Sequence, residues 1–320
     1  MAKELVKVQN LKKYFKVKRG LLHAVDDVTF SIKEKETLGV VGESGCGKST
    51  LGRINLRLIE PTAGEIFFDG DDVMKLRGEH LRVARRQMQI IFQDPYSSLN
   101  PRKSISEIIE EPLIVHNMCK SKAELKKKVY TYMDLVGLSR RLVNTYPHEL
   151  DGGRRQRIGV ARALALEPKY IVCDEPVSAL DVSIQAQILN LLQDLQKEVG
   201  LTYMFITHNL SVVRHISDEI AVMYLGKIVE KAKTEDLFNN PKHPYTIALL
   251  NAVPLPSIEY RYKKLTVIKG ELSSPINPKT GCRFAPRCTS VEERCQTADP
   301  ELLEISAHHF VSCFTAKNLT

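Results

Sequence analysis

The sequence contains no hydrophobic run long enough to cross a membrane. Its longest stretch without a charged side chain, residues 243–258, holds three prolines and falls short of the roughly 20 apolar residues that a transmembrane helix needs. The first ten residues include Lys3, Glu4 and Lys7 and lack the apolar core of a secretory signal. We therefore predict no transmembrane helix and expect a cytoplasmic protein.

Internal repeats and low-complexity segments are also missing from the chain. Hydrophobic residues make up 43% and charged residues 26%, a balance that excludes wholesale disorder. The chain has 320 residues, so at roughly 150 residues per domain we expect two units. Prolines become frequent after about residue 239. We place the boundary there, with one domain over residues 4–240 and a second over residues 241–320.

Basic side chains outnumber acidic ones by 46 to 38, which gives a net charge of +8. This excess is compatible with binding to nucleic acid, to anionic lipid or to a phosphorylated ligand. Charge alone does not choose among these three classes of partner.

The strongest chemical signal is the segment GESGCGKS at residues 42–49, which matches the phosphate-loop pattern G-x-x-x-x-G-K-[ST]. An apolar run, Thr37–Val41, predicts a strand before it, and the spacing over residues 48–58 predicts a helix after it. Glycines allow backbone N–H groups to turn toward phosphates at the start of such a helix. Lys48 would reach the β- and γ-phosphates of a nucleotide and Ser49 would bind Mg²⁺.

An acidic pair, Asp174 and Glu175, follows a second predicted strand over residues 170–173. An isolated acidic pair at this place is more often a helix cap. Together with a phosphate loop, the pair favours another interpretation, in which Asp174 holds Mg²⁺ and Glu175 polarises the attacking water. A third apolar run, over residues 203–206, precedes Thr207 and His208. Three short buried strands of this kind predict a parallel sheet whose ligands bind beyond the carboxyl ends of the strands.

Residues 146–164 resemble the signature segment of ATP-binding cassette (ABC) proteins, and they complete a set of motifs in the family's order. The set comprises the phosphate loop at 42–49, a glutamine loop at Gln93, the signature at 150–154, the acidic strand at 170–174, the segment Ser178–Asp181 and a switch histidine, His208. Gln93 and His208 on their own would pass for ordinary structural residues. This resemblance implies a P-loop NTPase fold with a RecA-like core, an antiparallel β subdomain and a helical subdomain over about residues 95–165.

Three further stretches are similar to the ATPases of oligopeptide and dipeptide importers: residues 93–101, 181–188 and 242–246. Residues 49–62 resemble the F-type member of the paired D and F ATPases. The resemblance implies a peripheral subunit at the cytoplasmic face of the membrane that hydrolyses ATP to power peptide import. It also implies a D-type ATPase partner, two transmembrane permease subunits and an extracytoplasmic substrate-binding protein.

The resemblance assigns roles to individual residues. Tyr14 would stack on adenine, Gln93 would contact Mg²⁺ and the attacking water, Glu175 would be the catalytic base, and His208 would contact the γ-phosphate. The remaining nucleotide contacts are Gly42, Glu43, Ser44, Gly45, Cys46, Gly47, Lys48, Ser49, Thr50, Asp151, Gly152, Gly153 and Asp181. The signature would close over ATP held by the opposite subunit, so two composite sites would form only in a dimer.

The signature departs from the family pattern Leu-Ser-Gly-Gly-Gln at two positions, since this chain has Asp151 and Arg154. An ionised aspartate cannot donate a hydrogen bond to a phosphate, and we expect it to cap its own helix. At an effective dielectric constant of ~20, two like charges about 4 Å apart cost about 4 kcal/mol before compensation. Arg154 could offset part of this cost by pairing with Asp151 or with the phosphate. We therefore hypothesise that this composite site is weakened, the alternative being a tolerated change with little effect.

Four cysteines crowd the end of the chain, at positions 282, 288, 295 and 313. Their clustering suggests metal rather than disulfides in a reducing compartment. Four thiolates can bind zinc or an iron–sulfur cluster, and the absence of a C-x2-C pair leaves the choice open. The resemblance favours a [4Fe–4S] cluster held by Cys282, Cys288, Cys295 and Cys313. Zinc and free thiols remain the alternatives.

Two other functions are compatible with parts of the sequence. A soluble ABC ATPase acting on nucleic acid or ribosomes would suit the basic charge, but such proteins usually carry two cassettes or long coiled-coil insertions. A regulatory pseudo-ATPase would suit Asp151, but Lys48, Asp174, Glu175 and His208 are all intact.

Overall fold

The computed structural model describes residues 3–252 and 273–316. The chain divides into two compact units, neither of which is continuous in sequence. The first consists of Met1–Leu5, Ile32–Glu36 and Phe68–Ile206, and the second of Val6–Ser31, Thr37–Phe67 and Thr207–Thr320. The phosphate loop thus belongs to the second unit and the acidic strand to the first.

Strands and helices are interspersed along the described part of the chain. The strands are β1 (Glu4–Val17), β2 (Gly20–Lys33), β3 (Thr37–Val41), β4 (Ala63–Phe68), β5 (Asp71–Asp72), β6 (Met88–Ile91), β7 (Tyr170–Asp174), β8 (Thr202–Ile206), β9 (Glu219–Tyr224), β10 (Lys227–Lys233), β11 (Leu303–Ser306) and β12 (His309–Val311). The helices are α1 (Lys48–Asn55), α2 (Gly78–Gln87), α3 (Pro95–Ser98), α4 (Ile105–Val115), α5 (Lys122–Leu135), α6 (Gly152–Leu164), α7 (Val182–Val199), α8 (Leu210–Ile216), α9 (Thr234–Asn239), α10 (Pro244–Asn251) and α11 (Arg294–Thr297). Short 3-10 helices cover Arg140–Leu142, Pro147–Glu149 and Ala285–Arg287.

Parallel strands form the centre of the first unit. β6 pairs with β7 and β7 with β8, in a register that places Val172 opposite Ile90 on one side and Met204 on the other. Every residue of β7 and β8 is buried, and a strand covered on both faces needs a continuous apolar sequence. The strands predicted over residues 170–173 and 203–206 are therefore confirmed, and β7 carries Asp174 at its carboxyl end.

Helices α4, α5 and α6 of the first unit pack on one another, and α3 packs on α6. A capping box begins α4, because the Ser104 hydroxyl accepts from the Glu107 N–H while the Glu107 carboxylate accepts from the Ser104 N–H. Ile105, Ile108 and Ile109 then bury one face of the helix. This spacing of apolar residues is typical of a helix with one buried face.

The second unit is built on β3, which pairs in parallel with β9. The sheet continues through antiparallel pairs from β9 to β10, from β10 to β12 and from β12 to β11. Most of β1, β2 and β4 belongs to the same unit, in the order β2-β1-β4. The C-terminal segment, residues 273–316, packs on this sheet. A buried cluster that includes Val41, Val222, Tyr224, Tyr245 and Phe284 joins the two.

Two expectations from the sequence differ from the structure. The helix expected over residues 48–58 ends at Asn55, because Arg57 adopts a left-handed conformation with φ of 50° that no helix can continue. The small separate C-terminal domain is not confirmed, because residues 273–316 belong to the second unit and β12 extends its sheet.

Over residues 3–252 and 273–316, no helix combines the length and apolar character needed to cross a membrane.

Burial of His243 predicts a loss of stability in mild acid. His243 is 1% exposed, its Nδ1 atom accepts a hydrogen bond from the Tyr245 N–H at 3.0 Å, and burial lowers its pKa to about 4. His243 binds a proton below about pH 6.5 in the unfolded chain but only near pH 4 in the folded protein. The free energy of unfolding that this group contributes above pH 6.5 is therefore lost as the pH falls toward 4. We expect on the order of 2 kcal/mol less stability at pH 5 than at pH 7 from this group.

Urea unfolding of the wild type and of His243→Asn at these two pH values measures the effect. The asparagine amide oxygen can still cap α10, so the variant is expected to show a flatter dependence on pH. Equal losses of stability in both proteins would contradict the assignment to His243.

Candidate nucleotide-binding site

The phosphate loop has a backbone conformation that its glycines make possible. Gly42, Gly45 and Gly47 have φ values of 154°, 77° and 106°. Residues that carry a Cβ atom rarely adopt backbone angles in this region. A Cβ at Gly47 would lie 2.0 Å from the carbonyl oxygen of Ala24. Glycine at these positions therefore lets the loop follow this path between β3 and α1 without backbone strain.

Lys48, the first residue of α1, turns back over the loop. Its ammonium donates to the Gly42 carbonyl at 2.8 Å and to the Glu43 carbonyl at 3.0 Å, and the residue is 5% exposed. Ser49 and Thr50 follow in the first turn of the helix and are half-buried. The loop therefore holds a buried cation and a hydroxyl at a helix N-terminus, an arrangement suited to a polyphosphate and its metal ion.

Tyr14, the predicted adenine platform, lies on β1 and stacks on His23 of β2. Their ring centroids are 4.0 Å apart with an interplanar angle of 22°. The Tyr14 hydroxyl donates to Asp26 at 2.5 Å, and the same carboxylate contacts the His23 ring. The aromatic surface is thus a fixed pair of rings, of which sequence reasoning found only one member.

In the first unit, the structure brings Gln93 and Glu175 together. Glu175 directly follows β7 and has a φ of 49°, and its N–H donates to the Ile206 carbonyl at 3.0 Å. The exposed Gln93 side chain donates to the Glu175 carboxylate at 3.0 Å. Asp174, one residue earlier, is 2% exposed. Two of the three predicted catalytic side chains are therefore in direct contact next to a buried carboxylate, and the third is His208.

The signature segment begins α6 with Asp151 as its cap. Asp151 accepts from the Arg154 N–H at 2.8 Å, and its other carboxylate oxygen lies 3.4 Å from Arg154 Nε. Both side chains are more than half exposed. Gly152 and Gly153 form the first turn, where a Cβ on Gly153 would lie 2.6 Å from Ile184. The expected cap forms, and Arg154 pairs with the aspartate within its own segment.

Two predicted residues lie at exposed ends of elements. Asp181 caps α7 by accepting from the Ile184 N–H at 3.0 Å and from the Ser183 hydroxyl at 2.8 Å, and these bonds lower its pKa. His208 follows β8 but belongs to the second unit, like the phosphate loop. The N–H of the preceding Thr207 donates to the Val40 carbonyl at 3.1 Å.

Comparison with known proteins agrees with this arrangement. The ABC transporter family matches residues 25–178, and the C-terminal region of the oligopeptide/dipeptide transporter family matches residues 229–295. The oligopeptide transport ATP-binding protein AppF of Bacillus subtilis is 51% identical over 318 residues, covering 97% of this chain and 96% of AppF. The dipeptide transport ATP-binding protein DppF of Haemophilus influenzae is 49% identical over 316 residues, again covering 97% and 96%. The chain belongs to the oligopeptide/dipeptide family of ABC transporter ATP-binding subunits.

Solved structures confirm the fold of this ABC subunit. The dimeric ATP-binding cassette MJ0796, in a post-hydrolysis state bound to ADP and Pi, matches with a TM-score of 0.66 and 33% identity, covering 72% of this chain and 98% of that one. The cbiO1 protein of Clostridium perfringens, part of the cbiONQ transporter complex, matches with a TM-score of 0.66 and 28% identity, covering 74% and 91%. The predicted P-loop cassette, its ATPase activity and its place in peptide import are confirmed, and the nucleic-acid alternative is not favoured.

The four C-terminal cysteines of the subunit line one small cavity of about 10 Å³. All four are free thiols, and burial raises the pKa of Cys282 to about 11. Thiols are the donors that zinc and iron–sulfur clusters take. However, in the part of the chain that the structure describes, no group of three or more histidine, cysteine or acidic side chains is arranged to hold a metal ion. The predicted iron–sulfur site is therefore not confirmed.

Sequence reasoning missed the residues that support the nucleotide site from within the second unit. They are His23, Asp26, Tyr245, Arg283 and Arg287. The two arginines carried a signal, since each is the neighbour of one of the four C-terminal cysteines, and Tyr245 lies in the stretch 242–246 that resembles the importer ATPases. His23 and Asp26 have no feature in the sequence that separates them from ordinary surface and core residues.

Proposed function

We propose that this subunit works at the cytoplasmic face of the cell membrane, where its hydrolysis of ATP drives a peptide importer. The contact between Gln93 and Glu175, directly after the strand that ends in Asp174, carries the proposal for the chemistry. A glutamine that donates to a carboxylate at this position can orient the water that the carboxylate deprotonates. The class of cargo follows from the relatives, which are named for oligopeptide and dipeptide transport.

Each predicted site residue has a definite task in this reaction. Lys48 exchanges its carbonyl partners for the β- and γ-phosphates, and the N–H groups of residues 42–50 hold the phosphate oxygens. Tyr14 stacks on the adenine, Glu175 takes the proton of the attacking water, and His208 contacts the γ-phosphate. Ser49, Gln93 and Asp174 would be the oxygen ligands of Mg²⁺, and the ion would neutralise phosphate charge.

The subunit works in a complex. Its partners are a D-type ATPase, two permease subunits and a substrate-binding protein outside the membrane. Residues 150–153 and Asp181 face the nucleotide of the partner ATPase, so that ATP closes the dimer and hydrolysis opens it. Residues 4–240 form the cassette, with its helical subdomain over about residues 95–165, and residues 241–320 form an extension.

Transport by the whole complex tests this function. The complex in lipid vesicles is expected to take up a labelled peptide only with ATP and the binding protein, and Lys48→Ala in this subunit is expected to lower uptake severely. Uptake that does not depend on ATP would refute the proposal. So would tight binding of the isolated subunit to RNA or DNA at physiological salt without membrane association.

The substitution of Asp151 in the signature makes the two composite ATP sites unequal. Asp151 places a carboxylate at the helix N-terminus, where the serine of the family pattern would donate to phosphate, and this carboxylate is paired with Arg154. The site that uses this signature therefore binds ATP weakly, and most turnover occurs at the site that uses this subunit's own Lys48 and Glu175.

Restoring the family residues tests this asymmetry. In the heteromeric complex, Asp151→Ser combined with Arg154→Gln is expected to raise ATP affinity about threefold to tenfold, a modest gain because solvent screens exposed charges. The double substitution leaves the net charge unchanged, and Arg141→Gln, which removes another exposed arginine of the same unit, controls for the loss of a surface guanidinium. No gain in ATP affinity or ATPase rate would refute the idea.

The four C-terminal cysteines would hold an iron–sulfur cluster, with zinc or free thiols as the alternatives. Their sharing of one cavity supports the proposal, and the thiols must turn toward a common centre for it to form. Anaerobically purified protein is expected to absorb near 400 nm and to contain iron and sulfide, and Cys295→Ser is expected to lose both. A colourless protein that contains zinc would identify the alternative, and a metal-free protein would exclude both.

A further inference from the structure

Two arginines of the C-terminal segment stand next to two of its cysteines. Arg283 follows Cys282 and Arg287 precedes Cys288, and the 3-10 helix Ala285–Arg287 ends at the second arginine. Phe284 anchors this turn in the core. Its ring is 2% exposed and meets the Tyr224 ring edge-on at 5.3 Å. The positions of both arginines are therefore set by buried packing.

Arg287 holds the phosphate loop through Glu43. Its guanidinium donates two parallel hydrogen bonds to the Glu43 carboxylate, at 2.9 and 3.1 Å, and the arginine side chain is 7% exposed. The bond to Glu43 is the largest cause that raises the pKa of Arg287. The Glu43 N–H also donates to the Tyr245 hydroxyl at 2.9 Å. The second residue of the loop is thus held by its side chain and by its backbone.

Arg283 holds the aromatic pair through Asp26. It donates to the Asp26 carboxylate and to the Leu225 carbonyl, and the same carboxylate accepts from Tyr14 and contacts His23. Burial by itself would raise the pKa of Asp26, but the bonds from Tyr14 and His23 and the charge of Arg283 lower it. One buried ion pair therefore sets the position of the predicted adenine platform.

We propose that Arg287 and Arg283 are positioning residues for the nucleotide, one for its phosphates and the other for its base. Arg287 acts through Glu43 and Arg283 acts through Asp26. The C-terminal segment that carries the four cysteines therefore pre-organises both the phosphate end and the base end of the nucleotide site. The inference rests on the proposed function, in which residues 42–49 hold the phosphates and Tyr14 stacks on adenine. Pre-organisation raises affinity because the loop and the rings do not have to be ordered on binding.

Two probes separate the roles of the arginines, namely ATP and inorganic tripolyphosphate, which has no base. Arg287→Ala in the full-length protein is expected to weaken binding of both probes about tenfold, the effect of losing a charged hydrogen-bonded pair. Arg283→Ala is expected to weaken ATP binding about tenfold and to leave tripolyphosphate binding unchanged. Calorimetric titration of each variant measures both dissociation constants.

Controls separate positioning from folding. Arg294→Ala removes an arginine of the same segment that pairs with Glu292 and the Phe314 carbonyl, and it is expected to bind both probes as the wild type does. Arg287→Lys, which keeps the charge but loses the two-pronged geometry, is expected to fall between wild type and Arg287→Ala. In the ATPase assay, Arg287→Ala is expected to raise KM with kcat little changed.

The Lys48→Ala variant shows whether the phosphate site exists independently of the two arginines. Lys48→Ala must lose tripolyphosphate affinity if the loop binds phosphate at all. If it does and both arginine variants bind like wild type, the positioning role is refuted. If Lys48→Ala binds normally, the phosphate site itself is refuted. Should Arg287→Ala fail to fold, Glu43→Gln weakens the same pair from the loop side, and unchanged binding by that variant also overturns the proposal.

Discussion

Glu175→Gln is expected to lower the ATP turnover number of the complex roughly 10²- to 10⁴-fold and to leave ATP affinity unchanged. Glutamine has nearly the same shape as glutamate, and its amide oxygen can still accept the bond that Gln93 donates at 3.0 Å. The substitution therefore removes the base without moving its neighbours. Steady-state ATPase rates and equilibrium ATP binding measure the two quantities separately.

Glu198→Gln is a matched control for this result, because Glu198 is an exposed glutamate near the end of α7 in the same unit. It is expected to turn over ATP like the wild type. A fall of less than tenfold for Glu175→Gln would assign the base to another group. A parallel fall in ATP affinity would show a role in binding.

Glu230→Ala is expected to lower the free energy of unfolding by about 3–5 kcal/mol, because the lost carboxylate serves three buried donors. Glu230 is fully buried on β10. It accepts from the N–H groups of Lys242 and His243 at 2.8 and 2.9 Å and lies 2.7 Å from His309 Nε2 of β12. Urea unfolding measures the loss.

Two variants show whether the loss of stability comes from removing the buried carboxylate or from removing any glutamate. Glu230→Gln keeps one acceptor oxygen and is expected to cost less, about 1–3 kcal/mol. Glu235→Ala, at an exposed position on α9, is expected to change stability by less than about 0.5 kcal/mol. Equal losses for Glu230→Ala and Glu235→Ala would contradict a structural role for the buried carboxylate.

Short apolar runs were enough to predict the central strands. Residues 37–41, 170–173 and 203–206 are apolar throughout because both faces of these strands are covered, and β3, β7 and β8 form there. Element ends were less predictable. The helix from Lys48 ends at Asn55 because Arg57 takes up a left-handed conformation, and residues 56–58 still have helical spacing. The edge strands β11 and β12 gave no clear signal, since only the pairing of β12 with β10 makes them part of the sheet.

The sequence by itself determined the family, the phosphate loop and the positions of the catalytic candidates. This was possible because their chemistry needs particular residues at short, regular spacings along the chain. Only the tertiary structure decided which partners hold these residues, as with Arg287 on Glu43 and Arg283 on Asp26. Those contacts join residues more than 240 positions apart in the chain. No local pattern encodes such a pair, because packing of the whole second unit brings its members together.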